Sequence, residues 1–315
     1  SSISEGTLIQ KWIHDYQLGG VILYDMDLEY KQLGTRNIQS AEQLKSLNNS
    51  LQSISKEPLF IAIDQEGGEV NRLNIKYGFP DFPSWKEIGK NNDINFTENY
   101  SKKLGELLND LNINLNFAPV LDIDGGKSSF IAKQGRALSS DILKITHHSR
   151  VFIEQLQNKG VICCGKHFPG QGSASADTHA GATDITNTWS EKELEPYNDL
   201  IKSKHLDAII IAHTFHNNFD NEFPASMSRK TITDLLRVKM GFSGIVICDD
   251  PSMKAISAHY DLKTTLKHML NAGVDMFILG NNLEYDPNLI PNAVHCLREL
   301  VSEGEISKNK ISFNN

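Results

Sequence analysis

The sequence predicts an α/β fold, a TIM-type (β/α)8 barrel with its first strand lacking or diverged, and three observations carry that prediction. Short apolar runs rich in β-branched residues recur at 20–24, 60–64, 116–122, 160–167, 208–213, 244–249 and 275–280, as expected of parallel strands buried on both faces. Amphipathic stretches separate them, so the order is strand, helix, strand, helix throughout. Polar residues then close the runs, with Asp64, Asp122, Lys166-His167, His213 and Asp249 each ending a different one. A doubly wound sheet and a barrel both place functional groups at the carboxyl ends of strands. Polar ends on so many separate strands converge on one pocket more readily in a closed ring than along a single crevice.

Taken in order, the run at 20–24 (Gly-Val-Ile-Leu-Tyr) precedes Ser40-Ala41-Glu42-Gln43, whose spacing is that of a capping box opening a helix. The run at 60–64 ends in Asp64 and passes into a Gly67-Gly68 turn. The runs at 116–122 and 160–167 flank a helical stretch, and the latter delivers Lys166-His167 into a loop of small residues. Ser190-Glu191-Lys192-Glu193 again has capping-box spacing and opens the helix before 208–213. The run at 244–249 ends in Asp249-Asp250, and that at 275–280 is the last. Seven runs are one short of a full barrel, and the missing strand is expected to precede Ser1. No Pro-, Gly- or Ser-rich linker and no short repeat divides the chain, so a single domain over 1–315 is expected.

Composition narrows the partners. A formal net charge of −8 and a pI near 5.8 argue against nucleic acid, because phosphate neutralisation needs clustered Lys and Arg. The longest apolar runs, such as Ile209-Ile210-Ile211 and its neighbours, are strand-length, so no membrane span is expected. The start, Ser1 to Gly6, has neither a basic region nor an apolar one, so no signal peptide is visible. With no initiator Met the natural N-terminus is not expected to be shown, which leaves both cytoplasm and export open. Cys163, Cys164 and Cys248 sit in strand patterns and Cys296 in a helix pattern, and they read as buried thiols. Among eleven His, His147 and His148 fall on different sides of a helix, and neither His-Glu-x-x-His nor Cys-x-x-Cys occurs. No metal site is expected, and the Gly-rich stretch lacks the Gly-Lys-Ser/Thr ending of a phosphate-binding loop.

Three clusters carry candidate chemistry. In Asp64-Gln65-Glu66-Gly67-Gly68-Glu69-Val70-Asn71-Arg72, Asp64 and Arg72 are placed to grip hydroxyls at a strand end, against the plainer reading of a solvated charged loop. In the second cluster Lys166 and His167 leave an apolar strand, where burying a cation and an imidazole costs free energy without a partner or ligand. The small-residue loop beyond them carries Asp177 and His179, spaced so that the carboxylate can fix the tautomer and raise the basicity of the imidazole. In the third, the Asp249-Asp250 pair offers a nucleophile or a general base. Asp249 is assigned to chemistry and Asp250 to support, as a helix cap or otherwise.

Together these segments resemble the glycoside hydrolase family 3 β-N-acetylglucosaminidases over nearly the whole chain. The resemblance also takes in Phe117-Ala118-Pro119-Val120-Leu121-Asp122, Gly135-Arg136-Ala137 and Pro224-Ala225-Ser226-Met227-Ser228. Lys166-His167-Phe168-Pro169-Gly170 followed by Asp177-x-His179 is its most specific part. It implies a retaining exo-β-N-acetylhexosaminidase acting on terminal β-linked N-acetylglucosamine, from peptidoglycan fragments or chitooligosaccharides. In that reading Asp249 is the nucleophile, His179 the acid and base, and Asp177 its partner, while Asp64, Arg72, Arg136, Lys166 and His167 hold the sugar. It implies no cofactor, and a monomer. Glu69 stands where the family usually has Arg, Gln171 where it has His, Cys248 where Ser is common, and Pro251 where Leu or Met is common. A β-glucosidase or glycoside phosphorylase with the same pocket, and a silent sugar-binding protein, are the alternatives.

Overall fold

The computed structural model describes residues 7–27, 32–33, 36–176, 181, 183–282 and 285–312, with the backbone alone at 32–33 and 312. Seven parallel strands form its central sheet in chain order: β1 (Gly20–Leu23), β2 (Phe60–Ile63), β3 (Leu115–Asn116), β4 (Ile162–Phe168), β5 (Ala208–Ile211), β6 (Ile245–Cys248) and β7 (Met276–Phe277). Helices α1 (Leu8–Tyr16), α2 (Ala41–Ile54), α3 (Ile94–Asp110), α4 (Ile142–Gln157), α5 (Glu195–Lys202), α6 (Lys230–Lys239), α7 (Leu262–Ala272) and α8 (Leu289–Ser302) alternate with the strands. Among the described residues no helix is long and apolar enough to cross a membrane.

Alternate residues of each strand face opposite ways, and here the two sets join different cores. Ile61, Ile63, Cys163, Ile209, Ile211, Val246 and Cys248 pack with helix residues in the larger one. Ala62, Leu115, Cys164, Ala208, Ile210 and Ile247 form a second, smaller cluster, joined by the partly buried Ile22 from β1 and Met276 from β7. A flat sheet of this width holds its edge strands roughly 29 Å apart, at about 4.8 Å per step. Side chains from both edges share one cluster only because the sheet curls into a barrel wall.

Among the described residues the wall does not close by strand pairing. β1 and β7 are the two ends of the sheet, and a cavity of about 550 Å³ lined by residues such as Val21, Ile22, Met276 and Ile278 lies between them. Polar contacts bridge this seam at its upper end: Arg36 Nε donates to Asn282 Oδ1 (2.9 Å) and Asn282 Nδ2 to the Met26 carbonyl (3.2 Å). The expected TIM-type barrel is therefore the architecture seen, with seven strands in its wall among the described residues.

Four local expectations need correction. The run at 116–122 gives a strand only at its start, because Pro119 has no N–H to donate. Its carbonyls still serve β4, with Lys166 N–H bonding to Pro119 O (3.2 Å) and an isolated bridge at Val120. The last run is a strand only at Met276–Phe277. At Ser190 the capping box does not form: the Ser190 side chain caps nothing, and Glu193 turns inward instead. Ser40 does cap its helix, accepting the Gln43 N–H. A complete capping box stands at Ser84 and Glu87, opening the short helix Trp85–Asn91. Cys163, Cys164 and Cys248 are buried thiols, while Cys296 is only half-buried. His147 is exposed, whereas His148 is buried against the Thr97 hydroxyl at 2.8 Å.

Candidate active site

The inward parity of the strands, within β4 and just past the ends of β1, β2 and β6, builds the site. Positions 60 and 62 on β2 lead to Asp64, 162 and 164 on β4 to Lys166, 245 and 247 on β6 to Asp249, and Ile22 on β1 to Tyr24. All four line one cavity of about 210 Å³ whose floor includes Ile22, Phe117, Ile210 and Ile278. Arg72, Arg136 and His167 line the same cavity. The residues expected to hold the sugar, Asp64, Arg72, Arg136, Lys166 and His167, and the expected nucleophile Asp249 thus line one cavity. Asp177 and His179 lie outside the described residues.

A network of alternating charge fixes the cationic side. Lys166, 3% exposed, places Nζ 2.7 Å from Asp64 Oδ1 and 2.6 Å from Glu66 Oε1. Glu66 also takes two hydrogen bonds from Arg136, Nε to Oε2 at 2.8 Å and the second guanidinium nitrogen to Oε1 at 2.9 Å. Burial disfavours the Glu66 charge, but Arg136 and Lys166 outweigh it and hold the carboxyl well below the usual carboxylate range. Burial likewise opposes the Lys166 charge, and Asp64 and Glu66 more than offset it, so its pKa is raised. Isolated, each of these ions would be costly to bury; pairing favours the charged forms of Glu66, Lys166 and Arg136.

His167 is held in one tautomer. Its Nδ1 lies 2.7 Å from Asp122 Oδ2, and Nε2 lies 3.3 Å from an Arg136 guanidinium nitrogen. A guanidinium can only donate, so Nε2 accepts and the proton sits on Nδ1, donated to Asp122. The Nε2 edge of a neutral imidazole is therefore turned toward the cavity wall. Arg72 lies over the Tyr24 ring at 5.6 Å and 3.6 Å from Asp25, so it too is held from behind.

The Asp249-Asp250 pair divides as the sequence suggests. Asp250 accepts the N–H groups of Ser252 (2.9 Å) and Gly280 (3.0 Å), which commits its two oxygens to backbone. Burial raises its pKa, and the Asp249 charge adds to that. Asp249 is half-buried at the cavity and accepts the Asp250 N–H at 2.9 Å. His213, at the end of β5, bonds Ser226 and the Asp250 carbonyl rather than facing the cavity. Gln171 lines the cavity where the resemblance leads one to expect His, and its backbone N–H is bound by Asp122 at 2.7 Å.

Sequence reasoning missed Glu66, Tyr24 and the clamping role of Asp122. Glu66 was legible in principle, since two cations destined for an apolar interior require a carboxylate beyond Asp64. Tyr24 follows Ile22 by one strand period, the same signal that places Asp64 and Asp249. Asp122 reads in the sequence as a strand end and as part of the 117–122 segment of the resemblance; its partner His167 is distant in sequence, and nothing local announces the bond.

The geometry agrees with what the chain is similar to. The model of the Glycosyl hydrolase family 3 N terminal domain matches residues 4–314. A β-hexosaminidase of Haemophilus influenzae is 34% identical over 80% of this chain and 72% of its own length. One from Psychromonas ingrahamii is 30% identical over 91% of this chain and 92% of its own. The solved structure of a family 3 β-N-acetylglucosaminidase from Paenibacillus sp. str. FPU-7 superposes with a TM-score of 0.88 at 27% identity. That match covers 99% of this chain and 57% of the Paenibacillus protein. A curled parallel sheet that gathers charged strand ends into one pocket, and a family match over almost its full length, lead to one statement: the chain belongs to glycosyl hydrolase family 3.

Proposed function

We propose that this chain is a retaining exo-β-N-acetylhexosaminidase that removes terminal β-linked N-acetylglucosamine by double displacement, from peptidoglycan fragments or chitooligosaccharides. The observation that carries the reading is the placement of Asp249 at the mouth of β6, in the same cavity as Lys166, His167, Arg136, Asp64 and Arg72. Its relatives named β-hexosaminidase support the substrate class. At about 210 Å³ the cavity falls below the roughly 300–1,000 Å³ of ordinary ligand pockets, which suits one terminal sugar unit and exo action.

In the first step a carboxylate oxygen of Asp249 forms a bond to the anomeric carbon as the glycosidic C–O bond breaks, and His179 protonates the departing oxygen. In the second, water attacks the glycosyl-aspartate, gives its proton to the now neutral His179, and releases Asp249. Asp177 holds the His179 ring. An imidazole with its ordinary pKa of about 6.5 serves both steps near neutral pH. The other carboxylates of the cavity are committed elsewhere, Asp64 and Glu66 to cations and Asp250 to backbone N–H groups, which favours a proton donor supplied from outside this set.

Incubation with a 5-fluoro-N-acetylglucosaminyl fluoride, which keeps the 2-acetamido group while the fluorine slows hydrolysis of the glycosyl-enzyme, and peptide mapping tests this reading. A covalent sugar on Asp249 is expected. Turnover with no trapped adduct, or a label on Asp250, sinks the assignment. Parallel assays on nitrophenyl N-acetylglucosaminide and glucoside, with and without phosphate, are expected to show hydrolysis of the first alone.

A further inference from the structure

Glu193 is a buried carboxylate, 5% exposed, that no step above uses. It lies in the 3₁₀ turn Glu191–Leu194 leading into α5, where its spacing from Ser190 would make it a helix cap. Instead Glu193 Oε2 accepts the backbone N–H of Gly172 at 2.9 Å. Gly170 packs against the same group: a Cβ there would stand 2.5 Å from both Glu193 Cβ and Oε2, and its φ of +117° is itself a glycine conformation.

The segment is clamped from the other side too. Asp122 Oδ1 accepts the Gln171 N–H at 2.7 Å while its Oδ2 holds His167. The Trp189 indole N–H bonds the Pro169 carbonyl at 3.0 Å, and the Ala174 carbonyl accepts the Phe130 N–H at 2.8 Å. Two buried carboxylates from different elements thus grip consecutive N–H groups just after the sugar-binding Lys166-His167. From Ala174 five residues lead to His179, a reach of at most about 18 Å. Where the clamp sets the chain therefore limits where the imidazole can act.

We propose that Glu193 is a positioning residue for leaving-group protonation: by holding the Gly172 N–H it fixes the base of the segment from which His179 delivers its proton. The proposal rests on the reading of His179 as the acid. An interaction that matters only for proton delivery affects poor leaving groups and spares good ones, because an activated aryl oxide leaves without help.

The test compares Glu193→Ala, Glu193→Asp, Glu193→Gln and His179→Ala with the unaltered chain on two substrates, a 4-nitrophenyl and a methyl β-N-acetylglucosaminide. General acid catalysis contributes about 10²–10⁴-fold. Glu193→Ala is expected to lose about 30-fold or more in kcat/KM on the methyl glycoside and less than about threefold on the nitrophenyl one. Glu193→Gln, whose amide oxygen still accepts the Gly172 N–H, is expected to stay within about threefold of the unaltered chain on both. The ratio of the two rates is internal to each variant, so a lowered folded fraction cancels. Should Glu193→Ala yield no soluble protein, Glu193→Asp, with its carboxylate drawn back by one methylene, carries the same expectation. Equal loss on both substrates, or no loss on either, overturns the proposal when His179→Ala itself discriminates between them. If His179→Ala fails to discriminate, the acid assignment falls first, whatever Glu193 does.

Discussion

Three acidic side chains show how position rather than residue type sets the chemistry. Asp249 lines the cavity, and Asp249→Ala is expected to abolish turnover while leaving circular dichroism and thermal midpoint close to the unaltered chain; a fully active variant removes the mechanism. Glu66 is held ionised by Arg136 and Lys166, so its folded pKa lies below the usual value of 4.5. Its contribution to stability is present above that value and lost as pH falls toward the folded one. Breaking a buried pair costs about 3–5 kcal/mol, so Glu66→Gln should be less stable by that order at pH 7. Denaturant titrations should show the gap narrowing below pH 4.5. Glu193 behaves oppositely: burial, then the Asp122 charge, push its carboxyl up to about 7 against the hydrogen bonds from the 172–173 segment. Its contribution is fully present below 4.5 and lost as pH rises through about 7. The stability of Glu193→Gln relative to the unaltered chain should therefore rise across that window, by at most about 3 kcal/mol. A difference that stays flat with pH contradicts the assignment.

Elements were legible where one local signal decided them. Ser40 caps its helix as its spacing predicts, accepting the Gln43 N–H at 3.2 Å. The complete capping box, at Ser84, was not among the expectations; it has both bonds in place, Glu87 N–H to Ser84 Oγ at 3.2 Å and Ser84 N–H to Glu87 Oε2 at 2.8 Å. It orients Trp85, whose indole N–H reaches the Val120 carbonyl at 2.9 Å. Ser84→Ala should cost about 1 kcal/mol, read as a lowered thermal midpoint with kcat unchanged. The same spacing at Ser190 misled, because a buried N–H from a distant loop competes for Glu193 and wins. Strand positions followed from apolar runs, and strand parity then locates Asp64, Lys166 and Asp249 together. What could not be read is what the curl brings close: the Asp122–His167 bond and the Glu66–Arg136 fork join residues 45 and 70 positions apart. Periodicity fixes which way a side chain faces; it carries no information on which other strand end it meets.

At the scale of the molecule, a barrel wall gathered from seven strands leaves its two outermost strands bonded on one side only. β5, between β4 and β6, is hydrogen-bonded on both. The seam over the 550 Å³ cavity therefore sets a gradient of local opening around the ring. Amide hydrogen exchange should protect the inner strands, Ile209–Ile211 among them, most and β1 and β7 least; uniform protection around the ring would show that the seam is bridged as firmly as any strand pair. Since Tyr24, just past β1, and Ile278, just past β7, line the same cavity as Asp249, the sugar site proposed above lies astride the line where the wall opens. A sugar seated there touches both lips, and its binding should slow exchange at β1 and β7 more than at β5, so that the ligand acts as the clasp of an otherwise unfastened ring.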